Sequence, residues 1–353
     1  MAIESKIRAM LFPKNRKIWI LLLVLLFIVL ALWAFRLYGY IFTPNVSEDT
    51  VILIPTGSTF AEVDKIMIDQ KVLQNEKAFR WIAKKKGYTQ NVKPGRYELK
   101  KGMNANVVVN KLRNGQQDAV NVIFNNVRTF PELAGKIAAY LEIDSSALLN
   151  EFLQKGIPEK FQFTEATFPA MFIPNTYQFY WTTTPEQVVE RLNREYMKFW
   201  NTERTNKATA LGLSKIEVSI LASIVQEETN KNDEKPVIAG VYLNRLKRGM
   251  LLQACPTVKY AVGDFTLRRI TTEMTQTDSP YNTYRVAGLP PGPINFPEIQ
   301  SIEAVLNAKQ HDYLYFCAKD DFSGTNVFSR TLAEHNRNAN RYHDALNQQK
   351  IWK

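Results

Sequence analysis

The sequence predicts an α+β protein: an N-terminal transmembrane helix, a small α/β module, and a larger mixed α+β domain. Three observations carry this. Ile18 to Phe35 runs for 18 residues without a charge, enough to span a hydrocarbon core. Short β-branched runs alternate with capped, amphipathic stretches of helical period through residue 124, the pattern of an α+β chain. The chain has 353 residues, more than one average domain, so two or more folded units are expected. Hydrophobic content of 45% and charged content of 22% are ordinary for globular protein.

The first element is the apolar span, which we place at residues 18–42 because an aromatic-rich margin continues to Phe42. A cleavable signal peptide is the competing reading. Its apolar region is normally shorter and ends at small residues. Here the flank is Arg36-Leu37-Tyr38-Gly39-Tyr40, which resembles an interfacial aromatic belt and favours a retained anchor. Lys6, Arg8, Lys14, Arg16 and Lys17 precede the span against Glu4 alone. The positive-inside rule then makes residues 1–17 a cytoplasmic tail and puts the rest outside, on the periplasmic or extracytoplasmic face. The net charge of +11 suits anionic lipid or anionic wall polymer. Nucleic acid is not expected for an exported chain without a nucleic-acid motif. Cys255 and Cys317 are 62 residues apart and leave a disulfide open. There is no CxxC or HExxH pattern, and His311, His335 and His343 are scattered, so neither a metal nor a cofactor is expected.

Residues 43–50 read as a short polar linker, within a module spanning 43–118. Val51–Ile54 is a strand candidate. Thr59 and Glu62 have capping-box spacing and open an amphipathic helix through Ile66 and Ile68. A second helix runs from Glu76 to Lys86 and stops at Gly87. Lys93-Pro-Gly-Arg-Tyr97 turns into a strand, and Asn106–Arg113 is a short helix. Val120–Phe124 opens a second strand–helix unit over 119–160, where Thr129-Phe-Pro-Glu132 echoes Thr59-Phe-Ala-Glu62. The echo is either a weak repeat or two independently capped helices. Such units resemble LysM-type modules, which hold the N-acetylglucosamine backbone of peptidoglycan. Leu141–Lys155 is expected to be helical. Phe161 to Trp181 is dense in aromatics and prolines, and reads either as packed irregular core or as the wall of a sugar-binding groove. Pro185–Asn201 is an amphipathic helix.

Ser214 to Thr229 is the helix around which the remainder, 161–350, is organised. Ser214 and Glu217 sit at capping-box spacing. Ile216, Ile220, Leu221, Ile224 and Val225 form one apolar face, and Glu228 falls in the middle of that arc. A carboxylate there is either half of a buried ion pair, with Arg245 as partner, or a general acid whose pKa burial raises. A second helix follows over Pro236–Arg248, with Asn244 and Arg245 beside its apolar stripe.

The strings after Glu228 are not generic when taken together. Ala222-Ser-Ile-Val-Gln-Glu-Glu-Thr229 is followed by Val241-Tyr-Leu-Asn-Arg-Leu246 and Leu252-Gln-Ala-Cys-Pro-Thr-Val-Lys-Tyr260. Then come Tyr281-Asn-Thr-Tyr284, Gly288-Leu-Pro-Pro-Gly292, Tyr313-Leu-Tyr-Phe316 and His335-Asn336. In order and spacing, from about residue 165 to 337, the chain closely resembles the YceG-like family of endolytic murein transglycosylases. Three positions depart from the family pattern. Gln226 stands where the family has Glu, Cys255 stands for an Asp, and Asn175 stands for an Asp. The family's catalytic Glu corresponds to Glu228.

The resemblance implies cleavage of the β-1,4 bond between N-acetylmuramic acid and N-acetylglucosamine in nascent glycan strands. Glu228 would act alone as acid and base, giving 1,6-anhydro ends. Asn244, Gln253, Tyr281, Asn282 and Asn336 are the candidates for holding sugar or peptide groups. The resemblance also implies peptidoglycan strands as substrate and penicillin-binding proteins of the wall-synthesis machinery as partners. A hydrolytic muramidase and a tethered, non-catalytic wall-binding protein are the alternatives.

Overall fold

A computed structural model describes residues 16–267 and 269–348. The tail at 1–15, which carries three of the five basic residues behind the expected orientation, lies outside them. Contacts divide the chain into two units: residues 1–120 with 180–182, and residues 121–179 with 183–353.

The first unit opens with α1 (Arg16–Phe42). Its span Lys17–Phe42 is long and apolar enough to cross a bilayer, and Ile18–Phe35 lies bare. The expected linker does not exist, because the helix runs directly into the module. Asn45 and Val46 are 2% and 1% exposed. The Asn45 side chain donates to the carbonyl of Asn75 (3.1 Å) and accepts from its amide (2.6 Å), while Val46 donates to the carbonyl of Met103 (3.0 Å). A polar string that composition marks as solvated is here the fastening of the module, since Asn45 satisfies backbone groups that folding would otherwise strand.

β1 (Thr50–Ile54) pairs antiparallel with β2 (Gly95–Leu99), with Ile52 opposite Tyr97. Alternation turns Ile52, Ile54, Tyr97 and Leu99 inward. Three helices cover them: α2 (Phe60–Asp69), α3 (Glu76–Lys85) and α4 (Ala105–Arg113). The Thr59–Glu62 capping box forms in both directions.

The second unit takes β3 (Val120–Phe124) at its border and pairs it with β4 (Asn175–Phe179), a strand drawn from the aromatic stretch and outside the 119–160 segment. α5 (Phe130–Ala138) is capped differently from α2. Thr129 accepts from the Glu132 amide, but the Glu132 carboxylate turns to the amide of Arg128. α6 begins at Ser145, not Leu141, because Asp144 caps it, and it ends at Leu153. The aromatic stretch is packed core: Phe130 meets Phe152, Phe168, Phe172 and Phe296 at ring separations of 5.3–5.7 Å.

α7 (Ile157–Lys160), α8 (Pro185–Phe199) and α9 (Thr202–Ala210) lead to α10 (Lys215–Glu228). Its Ser214–Glu217 capping box is complete. Every residue from Val218 to Val225 is buried, so this part is enclosed all round instead of showing one apolar face. It packs against α11 (Lys235–Lys247), α12 (Cys255–Val262) and α13 (Ile299–Leu306). The hairpin β5 (Tyr315–Ala318) and β6 (Asn326–Ser329) then carries α14 (Leu332–Gln348).

Candidate active site

Glu228 is the last residue of α10, where the helix emerges from the core into a cleft of about 400 Å³. Tyr242 and Arg245 from α11, Gln253 and Cys255 at the start of α12, Tyr284, the β5 strand and His335 from α14 share the lining with it. Among the described residues lining the cleft, Glu228 is the one carboxylate.

The end of α10 is held by polar groups on its far side. Ser223 accepts from the Ile294 amide through its hydroxyl and from Asn295 through its carbonyl. The Gln226 side-chain oxygen accepts from the Glu298 amide at 2.7 Å. This interaction needs an acceptor and no charge, so glutamine performs it as a carboxylate would. Glu227 is bound by Arg128 at 2.8 Å and by Asn295 at 2.9 Å. With its two neighbours occupied outward, Glu228 is the one turned to the cleft.

Tyr242 donates its hydroxyl to Glu228 Oε1 at 2.7 Å. Tyr242 is 2% exposed and its ring packs edge-on to Phe316. Burial pushes the Glu228 carboxyl up to about 7. The Tyr242 hydrogen bond and the Arg245 charge pull the other way, and the Glu227 charge adds to the rise. Part of the residue surface meets the cleft, yet the protein surrounding the carboxyl removes most of its hydration.

Arg245 does not pair with Glu228. It is 7% exposed, donates to the carbonyls of Leu314 (2.6 Å) and Leu252 (2.8 Å), and lies 5.1 Å over the Tyr315 ring. Glu228 has no ion-pair partner among the described residues. The buried-ion-pair reading of the sequence therefore fails on geometry, and a protonatable carboxyl without an ion-pair contact remains.

The turn strings lock together and shape the mouth. Thr283 accepts from the Ala254 amide and shares a 2.8 Å hydrogen bond with the Thr257 hydroxyl, while the Gln253 amide donates to the Thr283 carbonyl. Gln253 itself sits at φ 50°, a left-handed conformation that a non-glycine residue holds only where its surroundings fix it. Asn282 is fully buried: its amide donates to the carbonyls of Thr275 and Thr277, and its oxygen accepts from the Tyr284 amide. Asn244 donates to the carbonyls of His311 (2.6 Å) and Tyr313 (3.1 Å). Tyr281 packs on Tyr260 at 4.6 Å. Of the five positions singled out for substrate, the structure puts Gln253 in the cleft wall. Asn244, Tyr281 and Asn282 are committed to the protein, and Asn336 is exposed on α14.

Sequence reasoning missed Tyr242, Tyr284 and His335. Tyr284 is within 3.2 Å of Cys255 Sγ across the cleft. His335 stacks on Tyr315 at 5.5 Å, and its buried Nδ1 has no hydrogen-bond partner. Burial and the Arg245 charge lower its pKa, keeping the ring neutral. The signal for His335 was its place beside Asn336: on one helix, adjacent residues face different ways, and Leu332 and His335, three apart, share the cleft face. A carboxyl Asp at 255 would have brought a second charge into this wall. The Cys255 thiol, pushed up by burial, brings none.

The model of the YceG-like family matches residues 52–341. An endolytic murein transglycosylase of Bacillus subtilis is 31% identical over 337 residues, covering 88% of this chain and 91% of that protein. One from Streptococcus pneumoniae is 27% identical, covering 83% of this chain and 58% of the longer relative. A crystal structure of a YceG-like protein from Listeria monocytogenes, 30% identical, superimposes with a TM-score of 0.54 and covers 82% of this chain and 98% of that one.

Proposed function

The chain belongs to the YceG-like family, and from that premise we propose that it is a membrane-anchored peptidoglycan lytic transglycosylase in which Glu228 serves as both acid and base. The observation that carries this is a single desolvated carboxyl, raised to about 7, facing a cleft that holds no second carboxylate among the described residues. A two-carboxylate hydrolase needs a second acid to activate water or attack carbon. A lytic enzyme does not.

Protonated Glu228 gives its proton to the glycosidic oxygen as the N-acetylglucosamine side departs. The oxocarbenium-like C1 of the muramic acid is captured by the C6 hydroxyl of the same sugar, an internal attack favoured by effective concentration. Glu228, now a carboxylate held by Tyr242, takes the C6 proton. The electron pair of the broken C1–O bond stays with the leaving oxygen, and no water is consumed. Gln253 and the neutral His335 supply polar groups for the sugar, and Tyr284 and Tyr315 supply rings. The basic flank of α1 orients the tail to the cytoplasm and the cleft to the wall, where the synthetic penicillin-binding proteins supply the nascent strands.

Digestion of purified wall in oxygen-18 water tests the reaction type. The proposal expects new ends without label. Ends carrying one labelled oxygen would make the enzyme a hydrolase.

A further inference from the structure

The exposed face of α3 carries a feature that glycan cleavage does not use. Lys77, Trp81, Lys84 and Lys85 lie at helical spacing on the side opposite the buried Ala78, Phe79, Ile82 and Ala83. Trp81 is 38% exposed, and Lys85 lies 6.0 Å over its ring. None of the three lysines has an acid partner among the described residues. The nearby acids Asp64 and Glu76 are both bound by Arg80, at 2.8 and 3.0 Å. The stripe is therefore an uncompensated positive surface around a Trp.

Its position is fixed by the anchor. Tyr40 and Ile41 of α1 pack on the module core, and the Tyr40 ring meets Trp81 edge-on at 6.3 Å. Ile18–Phe35, rising ~1.5 Å per residue, covers about 27 Å and fills the hydrocarbon layer. Arg36 to Tyr40 then fall in the headgroup layer, and Trp81, touching Tyr40, falls with them. A groove of about 680 Å³ opens at this junction, lined by Phe35, Arg36 and Tyr40 of α1 and by Asn45, Gln74 and Asn75 of the module. Placing Ile18–Phe35 in the hydrocarbon layer puts Leu32 and Phe35 of its lining at acyl depth and Arg36 at headgroup depth.

We infer that α3 and this groove form a lipid-docking surface that seats the module on the membrane through anionic phospholipid headgroups, with Arg36 and the exposed side chains of Gln74 and Asn75 holding one headgroup phosphate. The occupant is a lipid because the surface is continuous with the span and combines Trp with lysines at interfacial depth. Each Lys near an anionic bilayer strengthens association by about fivefold. The inference rests on reading α1 as a membrane span and is independent of the chemistry at Glu228.

The test is hydrogen–deuterium exchange of the full chain in phosphatidylcholine nanodiscs, in discs containing phosphatidylglycerol, and in uncharged detergent. We expect residues 76–86 to exchange several-fold more slowly in the anionic discs, and the difference to shrink with salt. Lys77→Gln/Lys84→Gln/Lys85→Gln should abolish the difference while leaving residues 185–199 unchanged and wall-degrading activity intact. Equal exchange of 76–86 in all three environments would overturn the inference. So would slowing by a soluble polyglycerol phosphate in detergent without slowing in anionic discs, which would assign the stripe to wall polymer.

Discussion

Replacing Glu228 by Gln keeps the shape of the cleft wall and removes the proton. We expect a fall in turnover on the order of 10²–10⁴ or more, measured as bonds cut per enzyme on purified wall. The acid must be protonated to act, so turnover should decline as pH rises through about 7. Tyr242→Phe deletes the hydrogen bond that stabilises the charged form, so the carboxyl rises further and the alkaline limb of the pH–rate profile moves upward. An unmoved limb would show that Tyr242 merely fills space. Stability follows the same group. The folded-state pKa lies above the usual 4.5, so the favourable contribution is complete below about 4.5 and lost as pH rises through about 7. Glu228→Gln should therefore melt level with the parent near pH 4 and, on the order of a few degrees, above it at pH 8. Helical period sets Glu228 in an apolar arc, but with Val218–Val225 buried all round the period does not give its direction; it faces the cleft because Gln226 and Glu227 are held elsewhere. Tyr242 was not legible in the sequence, since a Tyr on an apolar stripe reads as core, and only the packing of α11 on α10 brings its hydroxyl to the carboxyl.

Helix α10 is held at its start by a local cap and near its end by groups from distant segments, and the start gives a test. Ser214→Ala removes the cap and should cost about 1 kcal/mol in chemical denaturation without changing the pH profile. Close approach limits the strings beyond. A Cβ at Gly240 would stand 2.4 Å from the Lys309 carbonyl oxygen, and one at Gly292 would stand 1.8 Å from that of Ala166. Both contacts are with backbone, so Gly292→Ala should destabilise by more than the usual 1–3 kcal/mol of overpacking, seen as loss of folded yield or a large drop in melting temperature. Capping boxes and breakers exposed most helices to a sequence reading, because those signals lie within a few residues. β4, β5 and β6 escaped it. Each is four or five residues long and takes its meaning from its pairing partner, which for β4 lies some 50 residues away. The turn strings were recognisable as turns, but their mutual fastening through Thr257 and Thr283 is a long-range fact.

For the whole molecule, the anchor and the module are continuous. A soluble form beginning at Gly39 keeps Tyr40, Ile41, Asn45 and Val46 in place, whereas one beginning at Ser47 loses them all. Val46 burial and the Asn45 hydrogen bonds together predict a loss of about 2 kcal/mol or more in the shorter form, readable in a denaturant melt of the first unit. The apolar helix itself was plain in the sequence, because 18 consecutive uncharged residues are legible without knowledge of the fold. The absence of a linker was hidden, because polarity marks Asn45 and Ser47 as solvated and only the fold supplies the carbonyls they bind. The central claim is that one carboxyl in this cleft cuts glycan strands without water. Mass spectrometry of muropeptides released from purified sacculi by the full chain, with Glu228→Gln beside it, tests this most directly. The account predicts 1,6-anhydro ends from the parent and none from the variant. Reducing ends from the parent, or anhydro ends at an undiminished rate from the variant, would contradict it.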